Sequence, residues 1–122
     1  MRMWLADPKI LCQKHLCGEH LEMHMFVGSI IKERAVDGYL QNNLLEPKKL
    51  KERHDELADE MIRRNYNHKT PITNEEFNNC MNNLHSDQLD FRHIKIDKER
   101  SIKDLLSRCP KCCKRYEEIN NE

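Results

Sequence analysis

The sequence predicts an all-α fold: a compact single domain of three to five helices with an N-terminal arm packed between them. Charged residues make up 34% of the 122 residues and aromatic residues only 6%, a profile that fits a helical domain better than a β-sandwich. Apolar residues recur at helical spacing in several segments, which are bounded by capping residues or proline. The length is sufficient for one hydrophobic core. We expect a helical domain at residues 1–116 and a loose tail at residues 117–122.

The first helix is expected to run from Pro8 or Lys9 to Ala35. Asp7 is a favourable N-cap with proline at the first helical position, and Asp37-Gly38 supplies a stop. Apolar residues at helical spacing predict the face that this helix buries, namely Leu16, Met23, Phe26, Val27, Ile30 and Ile31.

An apolar arm, Met3 to Leu5, precedes this helix. Chain termini are ordinarily frayed, but we expect Trp4 to pin this one by packing. Gly18 and Gly28 each lower helix propensity by about 1 kcal/mol relative to alanine. We therefore expect another backbone to approach closely at these glycines, and at Gly18 we expect it to be the N-terminal arm.

The rest of the chain divides into further segments with their own start and stop signals. They are a connector or short helix at Tyr39–Leu45, a helix from near Pro47 to about Asn65, a helix from Thr73 to Leu84, and a helix from Lys98 to Ser107 or Arg108 with Asp97 as its N-cap. The segment after Thr73 is expected to be short because four asparagines weaken it. Pro110 is expected to end the last helix, after which CPKCC leads into a final turn with Tyr116.

The net charge gives no general attraction to nucleic acid, because Lys+Arg and Asp+Glu number 21 each. A DNA-binding surface would need segregated charge, and two basic segments are candidates: Lys48 to Arg53, and Arg92 to Arg115. The alternative for each segment is an ordinary solvated helix face.

No apolar run has the length of a membrane span, and no secretory leader is visible. We therefore expect a cytoplasmic protein with no membrane partner, and we also expect a monomer. The six cysteines are then expected to be reduced thiols or metal ligands rather than disulfides.

Residues suited to catalysis lie at the start of the chain. His15, Glu19 and Glu22 fall on one face of the first helix, because spacings of four and three residues bring side chains over one another. An α-amine ordinarily has a pKa of about 7.7–8.0 and is a usable nucleophile near neutral pH. If Glu22 faces inward, loss of hydration raises its pKa and suits it to proton transfer. A fixed amine opposite a carboxylate can perform Schiff-base chemistry on a sugar aldehyde.

The opening segment MRMWLADPKILCQKHLCGEHLEMHMFVG resembles the pyrimidine-dimer DNA glycosylases of the phage endonuclease V type. The match runs without a gap from Arg2 to Gly28, resumes in KERHDELADEMIRRNYNHK (Lys51 to Lys69), and is fainter in SRCPKCCKRY near the end. The resemblance implies a DNA glycosylase with AP-lyase activity on double-stranded DNA with a damaged or modified base, pyrimidine dimers above all. In that family the N-terminal α-amine attacks C1′ of the lesion sugar, and a helix-1 glutamate assists base loss and strand cleavage.

The resemblance predicts Met1 and Glu22 as the catalytic residues. Because methionine removal generally requires a small second residue and arginine follows here, we expect Met1 to be retained and to supply the amine. The residues expected to contact the substrate are Arg2, His15, Glu19, His20, His24, Arg100 and Lys103. Leu21 and Met25 occupy the positions at which the family's phage member has arginines beside its catalytic glutamate.

Two groups of residues have the spacing of metal ligands. His20 and His24 lie four residues apart with Cys17 one turn earlier, although such histidines can equally contact phosphate or pack. Cys109-x-x-Cys112 with Cys113 is a zinc half-site, and the alternative is free thiols in a helix-ending turn. A complete zinc site would need another ligand to arrive in space from Cys12, Cys80 or a histidine. The expected reaction itself requires no cofactor.

Two other functions stay open from the residues alone. One is a non-catalytic helical module that binds nucleic acid or protein. The other is glycosidic cleavage of a free nucleotide, for which the zero net charge leaves room.

Overall fold

The computed structural model describes residues 1–68, 70–84 and 94–120. Within these ranges the chain forms six α-helices and no strand, so the predicted all-α fold is confirmed. The helices are α1 (Gln13–Ile31), α2 (Asp37–Gln41), α3 (Leu50–Arg63), α4 (Asn74–Asn83), α5 (Lys98–Arg108) and α6 (Pro110–Asn120). Short 3-10 turns at Pro8–Ile10 and Pro47–Lys49 precede α1 and α3. None of the described helices is long and apolar enough to cross a membrane.

Helix α1 lies at the centre of the fold, with α3 and α4 packed against it. Its predicted apolar stripe is buried, and only Ile31 in that stripe keeps partial exposure. The arm contributes Met3, which is fully buried in the same core as Phe26 of α1 and Leu57 of α3. The N-terminal residues are therefore part of the hydrophobic core and not an appendage to it.

Helix α1 begins at Gln13, and the prediction that it begins at Pro8 or Lys9 is wrong. Asp7 does cap a helical turn, since its side chain accepts a hydrogen bond from the Lys9 amide at 3.0 Å, but that turn is the isolated 3-10 turn. Leu11 and Cys12 are extended. Their long-range contacts explain why: the Leu11 carbonyl accepts from Arg64 at 2.8 Å, and the Cys12 amide donates to the Cys112 sulfur at 3.2 Å. Tertiary contacts here outweigh local helix propensity.

Helix α1 ends at Ile31 and not at Ala35. Glu33 adopts a left-handed backbone with φ of 59°. The Glu33 amide donates to Ile30, and the Arg34 amide donates to Ser29 at 2.8 Å, which together form a Schellman motif. The Ile31 carbonyl accepts from the Asn83 side chain at 3.0 Å, so α4 also helps to fix this end.

Helix α6 replaces the final turn that the sequence predicted after CPKCC. Pro110 does end α5, but it is also the first residue of α6, a position at which proline is favoured because its missing N–H would be unpaired anyway. The chain is helical to Asn120, so helix continues beyond Tyr116 and Glu117. The domain boundary at residue 116 stays a prediction.

Local signals gave the starts of α4 and α5 correctly. Thr73 accepts from the Glu76 amide at 3.0 Å, and Asp97 accepts from the Arg100 amide at 3.2 Å. Lys69 and most of the connector between α4 and α5, Arg92 included, lie outside the described residues.

Candidate active site

A cavity of about 690 Å³ lies between the N-terminal arm, one face of α1, the loop after α2, and α5. Met1, Arg2 and Trp4 line it from the arm, and Glu22 lines it from α1. The two residues predicted to be catalytic therefore line the same concave site, one from the arm and one from α1. A volume of this size is typical of small-ligand and active-site clefts.

The arm is held in place by backbone hydrogen bonds along its length. The Met3 amide donates to the Leu44 carbonyl at 2.8 Å, and the Trp4 amide donates to a Glu19 carboxylate oxygen at 3.1 Å. The Trp4 carbonyl accepts from the Ser101 hydroxyl of α5 at 2.6 Å. Trp4 itself is 7% exposed, in agreement with its expected role as the residue that pins the arm. The α-amine is thus two residues from the first of these anchored amides.

Glu19 anchors this arm through a buried ion pair with Arg53. The Arg53 guanidinium donates to both carboxylate oxygens, at 2.6 and 2.8 Å, and both side chains are at most 1% exposed. Arg53 also donates to the Ala6 carbonyl at 2.7 Å and to Glu56. With its oxygens engaged in this way, Glu19 is suited to positioning the arm. Arg53, which the sequence placed in a basic surface cluster, is a core residue.

Glu22 has the raised pKa expected of a carboxyl group that faces inward. Burial is the largest cause and raises the pKa above the ordinary 4.5. The positive charge of the Met1 α-amine and a hydrogen bond from the Arg2 backbone lower it, each by less. Glu22 therefore senses the α-amine electrostatically. A carboxyl group with a raised pKa exchanges protons more readily near neutral pH.

Arg2 forms part of the cavity wall. Its guanidinium carbon lies 3.9 Å from the centroid of the Trp4 ring, a cation–π contact. It also lies 3.4 Å from Asp104 and 3.4 Å from the Ser101 hydroxyl. Burial lowers the pKa of Arg2. Its Nε is buried and has no hydrogen-bond partner among the described residues, so the group retains donor capacity.

The basic side of the cavity includes residues that the sequence did not single out. Arg100, an expected substrate contact, lines the cavity, whereas Lys103 is exposed and does not. Lys14 and Arg108 line it as well. Arg108 lies within the basic segment noted in the sequence. No sequence feature of Lys14 predicts a place in the cavity, apart from its position next to His15.

Gly18 and Gly28 do not mark close backbone approaches. A Cβ added at either glycine would meet nothing within 4 Å, so the prediction that the arm approaches Gly18 closely is wrong. Gly18 instead lines the cavity, where the missing side chain leaves open space.

His15 lies between the cavity and a group of cysteines. Its ring meets the Trp4 ring edge-on at a centroid distance of 5.9 Å, and it lines the cavity. Its Nδ1 lies 3.2 Å from the Cys12 sulfur. Burial lowers the pKa of His15, so the imidazole favours its neutral form.

His20 and His24 point away from the cavity, toward His54 of α3 and His68. The centroid of the His20 ring lies 4.7 Å from the centroid of the His54 ring and 4.8 Å from that of the His68 ring. Burial, and then the neighbouring histidines, lower the pKa of His20 to about 4. Neither His20 nor His24 is among the residues that line the cavity, and Cys17 is not part of their cluster. The expected contact of these histidines with substrate stays a prediction.

The cysteine group contains Cys12, Cys109 and Cys112, together with His15. The four ligand atoms lie within 4.8 Å of one another, so this cluster could hold a metal ion. Cys12 and His15, at the start of α1, thus join the predicted zinc half-site of Cys109 and Cys112. Cys113 lies outside the cluster, and its sulfur faces Glu117 at 3.8 Å.

A family model described as pyrimidine dimer DNA glycosylase matches residues 1–74. No curated protein and no solved structure matches the chain. The matched range contains the arm, α1 and α3, and ends before α5 and α6.

Proposed function

Because this chain belongs to the pyrimidine dimer DNA glycosylase family, we propose that it removes damaged or modified bases from double-stranded DNA and then cleaves the strand as an AP lyase. Pyrimidine dimers are the first substrate to test. The observation that supports this proposal most is that Met1 and Glu22 line the same cavity, where the charge of the Met1 α-amine acts on the half-buried carboxyl group of Glu22.

The proposed reaction uses the neutral α-amine as nucleophile. Its nitrogen bonds to C1′ of the sugar, the glycosidic C1′–N bond breaks, and the base leaves with that electron pair and a proton. The ring then opens to an iminium between the amine and C1′. Loss of a C2′ proton expels the 3′-phosphate by β-elimination, and water then hydrolyses the imine to free the amine. We assign Glu22 to the proton transfers, because its raised pKa suits a group that must both accept and donate a proton.

The cations of the cavity would bind phosphates on either side of the reacting sugar. Arg100, Arg108 and Lys14 are exposed there, and Arg2 adds a partly buried positive charge to the same cavity. Phosphate contacts fix the register of DNA on a protein and make affinity fall with salt. Access to C1′ requires a distorted or flipped nucleotide, which costs a few kcal/mol and favours pairs that damage has already weakened.

The surface beside Glu22 is apolar where the family's phage member has arginines. Leu21 is 58% exposed and Met25 is 47% exposed. Fewer cations on this face mean fewer phosphate contacts, so we expect a weaker salt dependence than the phage enzyme shows.

Borohydride trapping tests the proposal. The protein is incubated with duplex containing a pyrimidine dimer or an abasic site and then reduced, and a covalent adduct is sought on a denaturing gel. We expect an adduct with both duplexes. Two residues added ahead of Met1 should abolish it, because the amine is moved from its position. If neither duplex yields an adduct while the phage enzyme does, the proposal is wrong.

Glu22→Gln separates the carboxyl chemistry from binding. Removing a general acid–base group typically costs 10²–10⁴-fold in rate, so we expect turnover on the lesion duplex to fall by about that factor while DNA affinity is retained. Glu52→Gln on α3 is the matched control, because Glu52 is exposed and outside the cavity. Equal activity of the two variants would remove Glu22 from the mechanism and favour a non-catalytic binding module.

A second candidate is glycosidic cleavage of a free nucleotide. The cavity volume of about 690 Å³ suits a ligand of that size, and the apolar Leu21 and Met25 reduce the surface available to a long duplex. Release of free base from nucleoside monophosphates, measured by chromatography, distinguishes this activity from DNA repair. Base release from nucleotides without trapping on duplex would favour the second candidate.

A further inference from the structure

We propose that Cys12, His15, Cys109 and Cys112 bind one structural zinc ion that joins the start of α1 to the start of α6. The proposed glycosylase chemistry needs no metal, and His15 is the one of these four residues that also lines the cavity. It would account for why three cysteines from opposite ends of the chain, with a histidine, converge in the core.

The distances between the ligand atoms match the edges of a zinc tetrahedron. With Zn–S of about 2.3 Å and Zn–N of about 2.0–2.1 Å, a tetrahedral site has S–S edges of about 3.8 Å and S–N edges of about 3.5 Å. The sulfurs of Cys12 and Cys109 are 3.8 Å apart. The Nδ1 of His15 lies 3.6 Å from the Cys112 sulfur and 3.2 Å from the Cys12 sulfur. These are three of the six edges of the tetrahedron, and no other pair of the four ligand atoms is more than 4.8 Å apart.

Backbone amides point at the sulfurs, as they do around metal-bound thiolates. The Cys12 amide donates to the Cys112 sulfur at 3.2 Å, and the Cys112 amide donates to the Cys109 sulfur at 3.4 Å. Such N–H···S bonds orient thiolate ligands and share their negative charge. They also explain why Cys12 and Cys109 are both extended residues just ahead of a helix, since that backbone directs amide and sulfur to the same point.

The donor set selects zinc over harder or octahedral ions. Thiolate and imidazole ligands in a closed tetrahedral cluster are typical of structural zinc. A disulfide between Cys12 and Cys109 would use two of these thiols and leave Cys112 and His15 unexplained. All three cysteines are at most 8% exposed, and His15 is half-buried at the edge of the cavity. With these four residues as ligands every position of a tetrahedral ion is filled by the protein, whereas a catalytic zinc site keeps one position open.

The histidine cluster of His20, His54 and His68 is a weaker competitor for a metal. Both ring nitrogens of His54 are already engaged, Nδ1 with Asp55 at 2.9 Å and Nε2 with the Thr70 carbonyl at 3.0 Å. Binding there would sacrifice a buried hydrogen bond. This cluster therefore serves as the internal alternative in the test.

Metal analysis of the protein purified under reducing conditions tests the proposal. We expect one zinc per chain, lost in Cys109→Ser and Cys112→Ser and retained in Cys113→Ser, whose thiol lies outside the cluster. Retention in His68→Ala is expected as well. Protein without zinc after growth in zinc-supplemented medium, or zinc that survives Cys112→Ser and disappears in His68→Ala, would overturn the proposal.

Cobalt substitution gives a readout that does not depend on whether cysteine variants fold. The wild-type chain with Co²⁺ should show the intense visible bands of a tetrahedral ion and thiolate-to-metal charge transfer in the near ultraviolet. His15→Cys should keep the ion and increase the charge-transfer intensity, because a fourth thiolate replaces the imidazole. A weak octahedral spectrum, or one that His15→Cys leaves unchanged, contradicts the assigned ligands.

Discussion

Replacing Glu19 by glutamine should destabilise the protein and displace the arm. The change keeps the shape of the side chain but removes the charge that faces Arg53, in a pair whose side chains are 0% and 1% exposed. Removing one partner of a buried ion pair costs about 3–5 kcal/mol, because the other charge stays buried and uncompensated. Arg53 would keep its contacts with Glu56 and the Ala6 carbonyl, so we expect the lower end, about 3 kcal/mol.

The loss is measurable as a shift in both chemical and thermal unfolding. About 3 kcal/mol corresponds to a fall of roughly 12 °C in melting temperature for a domain of this size. Total stabilities of about 5–15 kcal/mol leave the variant folded at 25 °C. Urea unfolding followed by circular dichroism gives the free energy of unfolding. Lys51→Met is the control, since it breaks the partly exposed pair with Asp55 and should cost no more than about 0.5 kcal/mol.

The same variant should slow borohydride trapping more than it weakens DNA binding. The Glu19 oxygen that accepts from the Trp4 amide holds the backbone three residues from the α-amine, and small misplacement of a nucleophile lowers rate strongly. The double variant Glu19→Gln/Arg53→Met should recover part of the stability, because it no longer carries an unpaired buried charge. It should not recover the trapping rate, because the carboxylate that anchors the arm is still missing. A stability loss as small as that of Lys51→Met, or a trapping rate at the wild-type level, would refute this account of the arm.

Three further predictions concern single side chains. Arg100→Ala should weaken binding to abasic duplex and lower the salt slope by about 1, whereas Lys103→Ala should change neither, as binding titrations at several salt concentrations would show. Glu22→Gln should keep or raise the melting temperature at pH 7, because burial raises the pKa of Glu22 and its charged form therefore disfavours the folded state. The difference in melting temperature between the variant and the wild type should shrink as the pH falls. A variant less stable than the wild type at pH 7 would contradict this. Hydrogen bonds from Arg63 lower the pKa of Glu60 in the folded protein below its ordinary 4.5. The stability that ionised Glu60 contributes is therefore present above pH 4.5 and is lost as the pH falls through the lowered pKa. Glu60→Gln should accordingly reduce the loss of unfolding free energy at acid pH.

Features set by neighbouring residues could be predicted from the sequence. The caps at Thr73 and Asp97 each satisfy an amide three residues on, and the buried stripe of α1 follows from helical spacing alone. The sequence reasoning made the raised pKa of Glu22 conditional on an inward placement, and burial does raise that pKa.

Features set by distant residues could not be predicted in this way. Leu11 leaves the helix because of Arg64, which is 53 positions away. Cys12 meets Cys112 across 100 positions, and a half-site in the sequence does not say which residues will complete it. The place of Lys14 in the cavity could not be predicted either. It lies in the same cavity as Arg100 and Arg108 of α5, and helical periodicity describes only the helix to which Lys14 belongs.

The cavity is composite in its origin along the chain. The amine and the carboxyl group come from residues 1–22, inside the range that the family model matches, whereas Arg100 and Arg108 come from a helix beyond that range. In the proposed reaction the groups that form bonds therefore lie in the matched range, whereas the cations that would bind phosphate are divided between Arg2 and Lys14 inside it and Arg100 and Arg108 beyond it. Sequence change confined to α5 would therefore alter the charge on one side of the cavity while the amine and the carboxyl group kept their places on the other.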